Sequence, residues 1–139
     1  MASTVALPAL LIGEVAAQSG LPVKTIRYYA DLGLIPTQGR TEGGFRIFAP
    51  EVLQRLAFIR RAQSLGMSLE EIGHVLAIRD QGSPPCEAIQ ELLLHKVAQI
   101  DRQIAELHLL KQQLLHLLQD WQIPAQVAED QICPNLDDP

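Results

Sequence analysis

Cysteine is scarce in this chain of 139 residues: only Cys86 and Cys133 occur, 47 positions apart. Such a pair makes no secreted disulfide framework, so in a reducing compartment the two read as thiols or metal ligands. A run of about 18 apolar residues, which a membrane-spanning helix would need, is also missing. The nearest candidate, "PALLIGEVAA", is too short and too broken, and no basic segment precedes it as in a signal peptide. These absences predict a cytoplasmic protein without a membrane partner. Equally absent are a Gly-rich phosphate loop and any Ser/His/Asp or Cys/His grouping, which leaves an enzyme poorly supported. The length suits one domain, or a small domain with an extended appendage.

What is present is unevenly charged. Residues 1–81 carry eight Lys/Arg against seven Asp/Glu, whereas residues 82–139 carry three against nine. Between Leu11 and Arg61 the count is seven basic to four acidic. The net charge of −5 therefore leaves room for a local phosphate-binding face, because the field near a surface follows local charge.

"LLIGEVAAQSG" places Leu11, Ile12, Val15 and Ala16 at helical spacing before a Ser19-Gly20 stop. "LPVKTIRYYADLG" follows, with Pro22 at a helix start and Gly33 at its end. Two short helices around a Gly-containing turn predict a helix-turn-helix. Its second helix carries Lys24, Thr25, Arg27, Tyr28 and Tyr29, side chains suited to phosphates and base edges in a major groove, while Ile26 and Ala30 can face inward. In "LIPTQGRTEGGFRIFAPE", Gly43-Gly44 predicts a tight turn between two short strands, a hairpin wing carrying Arg40 and Arg46.

Two further helices follow. Val52, Leu53, Leu56 and Ile59 form the apolar face of one; Leu69, Ile72, Val75, Leu76 and Ile78 form that of the other. Ser68 with Glu71 predicts a capping box opening the second, and His74 reads as a surface or boundary residue. After the punctuation Gly82-Ser83-Pro84-Pro85, one helix runs from about Pro84 to Trp121. Leu93, Val97, Ile100, Ile104, Leu107, Lys111, Leu114, Leu118 and Trp121 alternate at spacings of four and three, a heptad seam with one lysine in it. At about 1.5 Å per residue such a helix outruns the small N-terminal domain. Its stripe asks for another chain, most simply as a homodimer. The divisions expected are 10–81, 84–121 and 122–139.

Together, "IGEVAAQSGLPVKTIRYYADLGLI", "GRTEGGFRIFAPEVLQRLAFIRRAQSLGMSLEEI" and the long helix resemble the MerR family of transcriptional regulators, over about residues 10–121. The resemblance implies a mainly α fold: an N-terminal winged helix-turn-helix domain with a small β-hairpin wing, a long dimerisation helix in an antiparallel coiled coil, and a short C-terminal metal-binding loop. It implies a homodimer on promoter double-stranded DNA. On binding its effector, the dimer would bend and untwist a spacer too long for RNA polymerase, which is thus an indirect partner. Matched position by position, Lys24, Arg27 and Tyr28 of the second helix and Arg40, Arg46 and Phe48 of the wing fall at the family's DNA-contacting places. Phe48 stands where tyrosine is commoner, so any hydroxyl contact there is lost.

Cys86 falls in the first turn if Ser83 caps the long helix and Pro84 takes its first position. The positive end of the helix dipole favours thiolate there, the form that binds metals or reacts. A free cysteine is otherwise a small buried hydrophobe. The resemblance favours the first reading. In the family's metal sensors a cysteine at the start of the dimerisation helix meets a loop of the other subunit, usually bearing two cysteines. Cys86 matches the first position and Cys133-Pro134 the last loop cysteine. Copper-type sensors place Ser at the Cys86 position, so the resemblance implies a divalent thiophilic ion of the zinc, cadmium, mercury, lead or cobalt type. Trp121 stands where the first loop cysteine is expected. Two thiolates suit linear coordination of a very soft ion; otherwise Glu129, Asp130, Asp137 or Asp138 would complete the site. His95, nine residues past Cys86, points to the opposite helix face. The alternative is a redox or electrophile sensor in which Cys86 is modified or joined to Cys133. An iron–sulfur cluster usually asks for four cysteines.

Overall fold

The computed structural model describes residues 8–137. Helices dominate. In chain order the elements are strand β1 (Leu10–Leu11), helices α1 (Ile12–Ser19) and α2 (Val23–Asp31), strands β2 (Gly39–Arg40) and β3 (Arg46–Phe48), then helices α3 (Val52–Ser64), α4 (Leu69–Asp80) and α5 (Cys86–Gln119). The described residues form two compact units, one ending at Leu92 and one beginning at Leu93.

The first unit is built around one core. Val15 of α1, Ile26 and Tyr29 of α2, Phe48 of β3, Leu56 and Ile59 of α3 and Ile72 and Val75 of α4 are all buried in it. The caps follow local chemistry. Gly20 takes a left-handed conformation (φ 74°) and its N–H closes α1 on the Ala16 carbonyl. At α4 the expected capping box is present: the Glu71 N–H donates to Ser68 Oγ at 3.1 Å, and the Ser68 N–H donates to the Glu71 carboxylate at 2.8 Å. The guanidinium of Arg60 ties α3 to α1 by donating to the Ser19 carbonyl.

The wing is larger than the expected hairpin. β3 pairs antiparallel with β2, Arg40 opposite Arg46, and also with β1, Leu10 opposite Phe48, giving a three-stranded sheet in the order β1-β3-β2. A strand of two residues before α1 carries too little periodicity to be read locally; only β3's free edge defines it. At the wing's tip Gly44, with φ 83°, takes a backbone conformation that side chains disfavour, and its N–H donates to the Thr41 carbonyl.

Helix α5 begins at Cys86, two residues later than expected, and the Ile89 N–H donates to the Pro85 carbonyl in its first turn. Pro85 therefore precedes the helix and Ser83 lies too far upstream to cap it. The helix holds 34 residues, about 51 Å at its usual rise. None of them is buried within the single chain. Among the described residues no helix is long and apolar enough to cross a membrane.

Candidate DNA-binding face and effector site

Helix α2 separates its two chemistries by the 3.6-residue period. Lys24, Arg27 and Tyr28, at spacings of three and four, share one exposed face, and the Tyr28 ring is 53% exposed. Thr25 is half-buried. Ile26 and Tyr29 face the core, and the Tyr29 hydroxyl donates to Gln63 Oε1 at 3.0 Å. Tyr29 thus leaves the set of groove-facing hydroxyls: the same period that exposes Tyr28 turns its neighbour inward, and Gln63 satisfies the buried polar end.

The wing sorts its residues by the strand period of two. Arg46 and Phe48 lie on the same face of β3. Phe48, on the central strand, is fully buried against the helices. This corrects its assignment to the DNA-contacting set: a ring in the core cannot reach a phosphate, and phenylalanine needs no hydrogen-bonding partner there. Arg46 turns over α2, where Nη2 donates to Asp31 Oδ1 at 2.6 Å and Nη1 to the Arg27 carbonyl at 3.4 Å. Its charge is largely committed. Arg40 is exposed, its Nη1 donating to the Gly44 carbonyl at 2.8 Å. The exposed cations of α2 and the wing are therefore Lys24, Arg27 and Arg40, and the apolar Phe45 ring is exposed at the wing tip. Asp31 was invisible as a partner of Arg46 in the sequence, since 15 residues and a whole wing separate them.

Elsewhere in the same unit, α3, α4 and the start of α5 line a groove of about 530 Å³. Phe58, Val75, Leu76 and Ile89 line it, Arg55 and Asp80 stand at it, and Cys86 belongs to its wall. Cys86 is exposed and free, the first residue of α5. Arg55 holds the Asp80 carboxyl below its ordinary range, first by hydrogen bonding and then by charge, with a smaller contribution from Arg79.

Cys133 belongs to the second unit and is free and half-buried. The segment carrying it is closed by Asn135, a residue that sequence reasoning passed over. Its amide donates to the Gln122 carbonyl at 2.7 Å, and its Oδ1 accepts the Gln122 N–H at 3.1 Å. The same amide lies 3.7 Å from Cys133 Sγ as a donor. Sulfur is a weak acceptor, so this is a light contact that leaves most of the sulfur's coordination directions open. Glu129 and Asp130 are exposed, and Asp137 accepts the Ile132 N–H. Asp138 lies outside the described residues. Among the described residues no three His, Cys, Asp or Glu side chains of one chain gather into a metal-holding group.

Comparison with known proteins agrees with this architecture. Residues 10–77 match the family described as MerR HTH family regulatory protein, and residues 53–117 the one described as MerR, DNA binding. The mercuric resistance operon regulatory protein of Bacillus cereus is 39% identical over 106 residues, 76% of this chain and 80% of that protein. Among solved structures, the transcription regulator PbrR691 of Ralstonia metallidurans CH34 in complex with lead(II) superposes with a TM-score of 0.73 at 33% identity, covering 91% of this chain and 96% of that one. The dual-function regulator MerR of Bacillus megaterium MB1 in complex with mercury(II) gives 0.58 at 31% identity, covering 88% and 91%. The chain belongs to the MerR family, whose members are DNA-binding regulators of transcription and not enzymes.

Proposed function

We propose that this regulator is a cytoplasmic homodimer that activates a promoter when a divalent thiophilic metal ion binds between Cys86 of one subunit and Cys133 of the other. The observation that carries this reading is the position of Cys86: an exposed thiol on the first residue of α5, directly after the DNA-binding helices. Relatives described with mercury(II) and lead(II) support a soft divalent ion. Two thiolates per site favour the softest of these in linear coordination. The bare heptad seam of α5 supplies the second subunit through an antiparallel coiled coil.

Lys24, Thr25, Arg27 and Tyr28 meet the groove and Arg40 the flanking backbone, while Arg46 sets the wing. In the dimer these contacts grip promoter DNA on both sides of an over-long spacer. Bending and untwisting it costs about 1–6 kcal/mol, within reach of a dimer's phosphate contacts, and lets RNA polymerase use both promoter elements. When bound, the metal supplies a bond between two subunits that differ in position between the silent and activating states. The protein's own part is to hold two thiolates, one at a helix N-terminus and one beside the Asn135 amide.

Titrating the purified dimer with Hg(II) and Zn(II) while following thiolate-to-metal absorbance tests this directly. Cys86→Ser and Cys133→Ser should each remove the absorbance and the metal-dependent activation while leaving promoter affinity within about threefold. Unchanged induction in Cys86→Ser would sink the metal site. A redox or electrophile sensor shares the exposed Cys86 thiol, and its mark would be induction by oxidants or aldehydes with no metal bound.

A further inference from the structure

Arg55 makes contacts that neither the DNA-facing cations nor the two thiols use. It stands on α3 with its side chain 17% exposed, and all three guanidinium nitrogens are engaged. Nε donates to the Leu34 carbonyl at 2.5 Å, while Nη1 and Nη2 donate to the two oxygens of Asp80 at 2.6 and 2.9 Å. One rigid, planar side chain thus joins two remote stretches of backbone.

Each stretch has a distinct neighbour. Leu34 is the third residue beyond α2; its N–H returns to the Tyr29 carbonyl at 2.9 Å, and its side chain is buried. It also sits close over α4, where a Cβ added to Gly73 would meet Leu34 Cδ2 at 3.5 Å. Asp80 is the last residue of α4, six before Cys86, and both residues belong to the wall of the same groove. A shift at the end of α4 therefore either carries Leu34 with it or breaks one of the hydrogen bonds of Arg55.

We infer that Arg55 is a positioning residue that couples the end of the DNA-facing helix α2 to the segment carrying Cys86. All three of its guanidinium nitrogens are already engaged within the protein. Capture of an effector at Cys86, on the reading proposed above, displaces the segment after Asp80, and Arg55 passes that displacement to Leu34 and α2. The fork gives the coupling two discrete states, intact and broken, which a flexible lysine with one ammonium could not reproduce.

Asp80→Asn in the full-length dimer tests this, since it keeps size and one acceptor while removing the charge. Native-state amide exchange should speed up at least ~3-fold at Gly33 and Leu34, beyond the end of α2, as well as near Asp80 itself. Hg(II) affinity should then be measured for the free and the promoter-bound dimer, because the ratio of the two is the coupling and is reciprocal between metal and DNA. That ratio should fall toward one in Asp80→Asn and in Arg55→Lys, with the free dimer's Hg(II) affinity unchanged. Exchange confined to residues 77–86, or an unchanged ratio, overturns the inference. A wild-type protein that binds no Hg(II) would instead sink the metal reading, and the exchange rates alone would then decide whether Arg55 ties the two stretches together.

Discussion

The unit through Leu92 and the helix that continues from Leu93 treat the same kind of residue in opposite ways. In the first, Ile26, Ile59, Ile72 and Phe48 are sealed from water by four helices and a sheet. In the second, Ile104 is 59% exposed and Leu107 64% exposed, and no residue of α5 is buried. The apolar side chains are as periodic in one as in the other. What differs is the number of neighbouring elements the chain can bring to them. A compact head closes its own core, whereas a helix of about 51 Å cannot fold back on itself, so its stripe stays uncovered within the single chain.

Phe48→Ala should break the packed side of this contrast hardest. Emptying the core beneath the central strand is expected to cost about 3–5 kcal/mol, seen in urea unfolding. A weakened promoter affinity with unchanged stability would return Phe48 to the DNA face. On the bare side, Ile104→Glu puts a charge in the middle of the seam. The dimer should dissociate in sedimentation at micromolar concentration, and promoter affinity should fall about 100-fold, or 2.7 kcal/mol. The tertiary signal of the head should meanwhile persist. If the head unfolded with the seam, the two regions would be less separate than their packing indicates.

Smaller changes sharpen the division within the head. Arg40→Gln should reduce the slope of log affinity against log salt by about 0.9 per site, as for one lost phosphate contact. Arg46→Gln should weaken binding with little change in that slope, since Asp31 already engages its charge. The smallest effect concerns Asp80. Its folded pKa is depressed by Arg55, so its contribution is present above the unfolded value of about 3.9 and is lost as pH falls through the folded value. Asp80→Asn should flatten that acid limb, by less than about 1 kcal/mol because the carboxylate is 54% exposed and solvent screens the pair. Thermal melts between pH 2 and 5 would read it.

Much of this molecule was legible because its signals are local. The capping box at Ser68, the Gly20 and Gly33 stops, the hairpin at Gly43-Gly44 and the heptads of α5 each declare themselves within a few residues. Tyr29 was grouped with its helical neighbours, and Phe48 and Arg46 were placed by matching the family's positions; what sets these three apart is which face the third dimension covers. Tyr29 finds Gln63, Arg46 finds Asp31, and Phe48 finds the helices, each across an interval no local pattern spans. Ser83 failed as a cap for a smaller reason: two consecutive prolines delayed the helix until Cys86.

By itself the sequence determined the order of the helices, the family, and the apolar stripe along α5, because periodicity, caps and charge distribution are properties of neighbouring residues. Only the tertiary structure decided which cations stay exposed and which are already paired. It also decided that β1 joins the wing, and that Arg55 bridges Leu34 to Asp80 beside Cys86. Those outcomes depend on distances between remote segments, which packing fixes and local pattern does not record.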